Sequence, residues 1–179
     1  MSQKLSLENN ARHEAGHWIS GWVLGKASLD IVLVVPGNGN GDSYCDREPH
    51  PDFLSLDGIN KHLSERIINL LSGAKAESYN GFVFNQDMFN YLISDYAGAW
   101  PDYFIAGELF RYYYRTIPSG SRDSYREEWE KLLTATEKLI VSNYPFISEV
   151  VARVQEISKQ PGQKIVLKKD ELVALYSRC

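Results

Sequence analysis

Apolar positions recur at helical spacing in the first part of the chain and predict a long first helix over about residues 7–24, with Ser6 as its N-cap. One face of this helix carries Ala11, Ala15, Trp18, Ile19, Trp22 and Val23. Residues 29–35 are short and β-branched, which predicts a strand. The glycine-rich residues 38–42 predict a hairpin or loop, and two prolines predict irregular chain over residues 44–54.

Helical periodicity dominates the rest of the chain. Further helices are predicted over about residues 57–79, 86–96, 101–115, 123–142, 145–158 and 169–176, with one minimal strand at residues 165–167. The pattern therefore predicts a mainly α fold with a small β element. We expect a single domain over residues 1–179, in which residues 1–116 hold the functional site and residues 117–179 form a C-terminal helical part.

Composition narrows the function classes. Hydrophobic residues make up 44% of the 179 residues, enough for a sizeable core, and the net charge of −4 argues against a nucleic-acid binder. The two cysteines, Cys45 and Cys179, form neither a disulfide framework nor a cysteine-based zinc motif. Since neither a signal peptide nor a membrane segment is evident, the expected location is the cytoplasm.

The strongest chemical signal is the sequence His-Glu-Ala-Gly-His formed by residues 13–17 on the first predicted helix. Its four-residue spacing puts the imidazoles of His13 and His17 on one side of the helix, close enough to bind one cation. On a helical wheel both histidines lie away from the apolar face, so we expect them to face a cleft or solvent. Glu14 is placed beside the metal position without being a ligand, as a general base in zinc-dependent hydrolysis requires.

A catalytic zinc ion needs three protein ligands and an open position, so a third ligand is missing from this motif. The remaining histidines, His50 and His62, have no supporting context: one lies in a proline-rich loop and the other on a predicted helix. Among the acids the candidates are Glu77, Asp87, Asp95, Asp102 and Glu108. The spacing of these residues does not choose between them.

The chain resembles the peptidase domain of the FtsH-type ATP-dependent zinc proteases in several segments that occur in the same order. These are residues 11–17 with the histidine motif, the strand of residues 31–35 followed by Pro-Gly, the small-residue segment 70–77, and residues 98–109. The resemblance implies a helical zinc-metallopeptidase domain in which Asp102 completes the ligand set of His13 and His17 around one Zn²⁺. It also implies that Glu14 is the general base.

Two other acids keep roles beside that set. Asp95 is the fallback for the third ligand, and Glu77 is expected to support the site, for example by orienting a ligand histidine. The aromatic run at residues 112–114 is expected to be core rather than substrate groove, and residues 122–131 are expected to form a solvated helix face.

The expected activity is therefore that of a zinc metalloendopeptidase acting on loosely folded polypeptides. The strand at residues 29–35, if exposed at a sheet edge, would hold an extended peptide by strand addition. The FtsH-type enzymes carry an ATPase module, but the 179 residues contain no phosphate-binding Gly-Lys-Ser/Thr loop, so folded substrates would need a separate ATPase partner to present them. A homo-oligomer is the other expected assembly. The alternatives are a catalytically degenerate binding or regulatory module and a purely structural zinc site.

Overall fold

The computed structural model describes residues 3–26, 28–36, 43–47, 55–95 and 97–179. Within those ranges the chain forms seven helices and three strands. In chain order they are α1 (Gln3–Val23), β1 (Ser28–Val34), β2 (Tyr44–Arg47), α2 (Leu56–Ser78), α3 (Gln86–Leu92), α4 (Trp100–Thr116), α5 (Tyr125–Ser142), α6 (Tyr144–Ile157), β3 (Lys164–Leu167) and α7 (Lys169–Tyr176). The predicted mainly α fold with a small β element is confirmed.

The three strands form one antiparallel sheet with the order β2-β1-β3. β1 is the central strand, because Ile31 is paired with Cys45 of β2 on one side and with Leu167 of β3 on the other. The condition that this strand be exposed at a sheet edge is therefore not met. The prediction of irregular chain over residues 44–54 is wrong for its first four residues, which form β2, and the predicted hairpin at residues 38–42 lies outside the described residues.

Several helix boundaries differ from the prediction. α1 begins at Gln3, so Ser6 lies inside the helix and the predicted N-cap is wrong. α2 has a true N-cap in Ser55, whose side chain accepts a hydrogen bond from the Gly58 amide. α3 ends at Leu92 instead of continuing to residue 96. The capping box of Ser124 and Glu127 begins α5 two residues later than periodicity alone indicates.

The apolar face of α1 lies in the larger of the hydrophobic clusters, against the sheet, α6 and α7. Trp18 is fully buried there; it stacks on Phe146 at 5.0 Å and its indole N–H donates to the Leu29 carbonyl at 2.8 Å. A second cluster joins α2, α4 and α5 around Leu71 and Phe110. α1 packs in the first cluster and most of the apolar face of α2 in the second, and the two helices meet along a common interface.

Two smaller expectations are corrected. Val23, placed on the apolar face by periodicity, is 46% exposed because it ends α1 beyond the cluster. Of the three consecutive tyrosines, Tyr113 and Tyr114 pack on the second cluster as expected, whereas Tyr112 points outward and is 65% exposed. In the part of the chain that the structure describes, no helix combines the length and the apolar character needed to cross a membrane.

Candidate metal centre

The interface between α1 and α2 is built around two glycines. A Cβ atom at Gly16 of α1 would collide with the Ser72 carbonyl and lie 2.7 Å from the Ala76 side chain of α2. A Cβ at Gly73 of α2 would lie 2.6 Å from Nε2 of both His13 and His17. Because neither glycine has a side chain, the two helices can approach each other closely.

The two histidines are consequently held in this interface. Their side chains are only 14% and 13% exposed for His13 and His17. The prediction that this side of α1 faces a cleft or solvent is wrong for most of its surface, because the neighbouring α2 covers it.

Three donor atoms converge at the end of this interface. Nε2 of His17 lies 3.1 Å from Nε2 of His13 and 3.1 Å from Oδ2 of Asp102, and the third separation, from His13 Nε2 to Asp102 Oδ2, is 3.6 Å. Donors bound at about 2.0–2.2 Å to one tetrahedral ion are separated by roughly 3.3–3.6 Å. Among the described residues these three form a group able to hold a metal ion.

The other nitrogen of each imidazole has its own acceptor on α2. Nδ1 of His17 lies 2.8 Å from the Asn69 carbonyl oxygen, and Nδ1 of His13 lies 3.3 Å from Oε2 of Glu77. A proton on each Nδ1 satisfies these contacts and leaves both Nε2 lone pairs directed toward Asp102. This tautomer is the one that binds a metal through Nε2.

Asp102 reaches the histidines from α4, 85 residues beyond His17 in the chain. It lies in the first turn of that helix, directly after Pro101, where the fixed φ of proline suits a helix start and the helix dipole favours a carboxylate. Its side chain is 31% exposed, about twice as much as either histidine. The site is therefore open to solvent on the side of α4.

Glu14 lies next to the sheet and near enough to His13, His17 and Asp102 for their charges to act on its carboxylate. Only 7% of it is exposed, and its carboxylate accepts a hydrogen bond from the backbone amide of Cys45 in β2. Burial raises the pKa of Glu14 above its ordinary value, against the lowering effect of the nearby histidines. The Glu14 carboxylate is therefore hydrogen-bonded to β2, which is an outer strand of the sheet.

The electrostatics of the group favour a positive charge between the donors. Burial lowers the pKa of His13, but the carboxylates of Asp102 and Glu77 outweigh it and raise that pKa to about 10. Burial acts to raise the pKa of Asp102, yet contacts with both histidines hold it well below its usual range. Two imidazole nitrogens and a carboxylate oxygen are a donor set that suits Zn²⁺.

The remaining candidates for a third ligand lie elsewhere. Asp95, the fallback, accepts a hydrogen bond from the Trp100 indole at 3.1 Å, and Glu108 pairs with Arg111 at 2.9 Å. Neither Asp87 in the first turn of α3 nor His62 on α2 belongs to the metal-holding group found among the described residues. His50 lies outside the described residues.

Asn69 is the residue of this site that sequence reasoning missed. Besides its carbonyl contact, its side-chain amide donates to the His17 carbonyl and to the Ser20 hydroxyl, each at 2.7 Å. A signal for it exists in the sequence: Asn69, Gly73 and Glu77 are four residues apart on α2 and therefore share one helix face. Two polar residues with a glycine between them are unusual on a face that packs against another helix.

Comparison with known proteins leaves the family open. A scan of the chain against protein-family models finds no match, and a search among curated proteins finds no significantly similar sequence. The geometry of the site and the chemistry of its residues are therefore the basis for a functional proposal.

Proposed function

We propose that this protein is a zinc-dependent endopeptidase in which His13, His17 and Asp102 hold one Zn²⁺. The observation that carries the proposal is the convergence of their three donor atoms at separations of 3.1, 3.1 and 3.6 Å, near the spacing around a tetrahedral ion. Three protein ligands leave one position free, which is typical of catalytic rather than structural zinc. The same residues are the ones that the resemblance to the FtsH-type peptidase domain implies.

A zinc ion held by His13, His17 and Asp102 would supply Lewis acidity, which would lower the pKa of a water molecule and polarise the scissile carbonyl. Glu14 accepts the proton of that water and passes it to the leaving amine as the peptide bond breaks. The Cys45 amide holds the carboxylate in place. Glu77 and the Asn69 carbonyl orient the two imidazoles through Nδ1, so that neither ring turns away from the site.

The substrate backbone has a docking edge in β2 rather than in the central strand β1. β2 pairs with β1 on one side, and within the described residues no strand pairs with its other side. An extended peptide added to that side would lie next to Glu14, because the Cys45 amide of β2 donates a hydrogen bond to the Glu14 carboxylate. Strand addition requires an unfolded segment, so loosely folded polypeptides are the substrates, and an ATPase partner would be needed to present folded ones.

Metal content and cleavage of an unfolded protein such as casein test the proposal together. Wild-type protein is expected to contain one zinc per chain and to cleave casein, and a chelator should abolish cleavage. Glu14→Gln should retain zinc but lose cleavage, because the amide cannot accept the proton. Asp102→Ala should lose both, whereas the matched control Asp95→Ala, outside the metal group, should keep both.

Three results separate the alternatives. Full zinc content in Asp102→Ala would remove that residue from the site. Stoichiometric zinc without any cleavage by the wild type favours the binding or regulatory module. Equal casein cleavage by Glu14→Gln and wild type would refute the assigned proton transfer.

A further inference from the structure

An open cavity of about 410 Å³ lies at the other end of α4 from Asp102. It is lined by Arg111, Tyr114, Arg115, Arg122 and Tyr125. Arg111 follows Asp102 by nine residues on the same helix, which corresponds to roughly 14 Å along its axis at about 1.5 Å per residue. The cavity is thus separate from the metal centre, and it joins the end of α4 to the start of α5.

The lining carries positive charge that the surroundings do not neutralise. Of the three arginines only Arg111 has an acidic partner, Glu108 at 2.9 Å. Across the described part of the chain, Arg115 and Arg122 form no ion pair. The chain as a whole has a net charge of −4. This cavity differs from the rest, because three arginines and no carboxylate line it.

Three acids at the start of α5 have partners other than the arginines of the cavity. The Asp123 carboxylate pairs with Lys131 at 2.6 Å, and Glu128 pairs with the same lysine at 2.9 Å. Glu127 accepts hydrogen bonds from the amide and hydroxyl of Ser124 in the capping box. These carboxylates therefore do not neutralise Arg115 or Arg122, whose positive charges remain available to an anion.

The wall of the cavity is held in a defined geometry. The Arg122 guanidinium lies 4.6 Å from the centre of the Tyr114 ring and donates to the Tyr114 carbonyl at 3.3 Å. The Tyr114 ring in turn meets the Tyr125 ring edge to face at 5.1 Å. Tyr125 also meets the Phe110 ring at 4.7 Å, yet 47% of the residue is exposed, so part of it remains accessible beside the arginines.

We propose that this cavity binds a mononucleotide, that is, a phosphate ester attached to a planar ring. Guanidinium groups match phosphate oxygens through paired, charge-assisted hydrogen bonds, and the exposed Tyr125 ring offers a stacking surface for a base. The volume of about 410 Å³ also fits a molecule of that size, since small-molecule sites span about 300–1,000 Å³. An isolated phosphate would use the arginines but leave the tyrosine wall uncovered.

Calorimetric titration of the intact protein with AMP tests this assignment, with adenosine and inorganic phosphate as separate arms. We expect saturable binding of AMP and weaker binding of each of the two fragments, because phosphate and ring contribute together. Arg115→Gln should weaken AMP binding by about tenfold or more, the effect of losing one charge-assisted contact. Arg126→Gln is the matched control: Arg126 is an exposed arginine on α5 that does not line the cavity, and its loss should change the affinity by less than about twofold.

The possible outcomes decide the proposal. Absence of AMP binding up to about 5 mM, a concentration that detects even weak sites, overturns it. Equal weakening by Arg115→Gln and Arg126→Gln overturns it as well, because the attraction would then be general surface charge. Phosphate binding as tight as AMP binding would refute the role of the ring. Arg115 is exposed, so circular dichroism should show an unchanged fold in its variant.

Discussion

Replacing Gly73 with alanine should damage the metal centre without touching any residue that would bind the metal. The new Cβ would lie 2.6 Å from Nε2 of both His13 and His17, about 0.8 Å closer than the 3.4 Å at which ordinary van der Waals contact begins. One or both imidazoles must therefore move by a comparable distance. A displacement near 1 Å is large against the zinc–nitrogen distance of about 2.0–2.1 Å and against the roughly 0.5 Å tolerance of a functional site.

The expected loss of zinc affinity is about 10- to 100-fold, the range found when the groups supporting metal ligands are disturbed. Competition with a chromophoric chelator measures the zinc dissociation constant, and casein cleavage at saturating zinc reports the remaining activity. Instability of α2 is not expected to cause the effect, because alanine is favoured over glycine in a helix by about 1 kcal/mol.

Gly107→Ala in α4 is the matched control. A Cβ at Gly107 has no neighbour within 4 Å, so this variant should bind zinc like the wild type and gain up to about 1 kcal/mol of stability from helix propensity. If Gly73→Ala bound zinc within about twofold of the wild type, the close approach of α1 and α2 would not position the histidines, and the description of the site would be wrong.

Three further predictions concern contacts around the site and the sheet. Glu77→Ala should weaken zinc binding by about tenfold in the same chelator competition, because His13 loses the acceptor of its Nδ1 proton, and Glu77→Gln should weaken it less. Glu137→Ala should lower the free energy of unfolding, measured in urea, by about 2 kcal/mol. The reason is that the buried Lys75 ammonium, which pairs with Glu137 at 2.6 Å, would lose its partner; an unchanged midpoint would contradict this. Hydrogen bonds from Lys168 and from the Lys169 amide lower the pKa of Asp30, so its contribution to stability is present above its ordinary pKa of about 4 and fades as the pH falls through the lowered pKa. Asp30→Asn should therefore be less stable than the wild type at neutral pH, and in urea unfolding the difference between the two should shrink steadily as the pH falls below about 4.

The parts of the fold that follow from local pattern were predictable. The apolar face of α1 needs only residues three and four apart, and Ala11, Ala15, Trp18 and Ile19 are all fully buried as periodicity indicates. β2 has no such signal, because its four residues form a strand through pairing with β1 and not through alternation of their own. Its position beside Glu14 therefore appears only in three dimensions.

The candidate site likewise has one part that local spacing predicts and another part that it does not. Its two histidines are four residues apart, so the sequence alone predicts that they are neighbours. The contact between His17 and Asp102 spans 85 residues, and no periodicity carries information over that distance; only the family resemblance selected Asp102 from five acids. The cavity at the end of α4 has no signal in the sequence pattern, because Arg122 lies in the loop before α5 and its partner Tyr114 lies on α4, so no helical periodicity relates the two.

The geometry of the candidate metal centre depends on α2 as much as on the helix that carries the motif. Along one face of α2, Asn69 supplies an acceptor for one imidazole, Gly73 leaves space for both rings, and Glu77 supplies an acceptor for the other. These positions have the same four-residue spacing as His13 and His17, so groups on α2 lie opposite the two imidazole rings over two helical turns. In this protein the facing helix therefore complements the His-Glu-x-x-His sequence, and the four-residue spacing makes this complementary pattern recognisable in the amino-acid sequence itself.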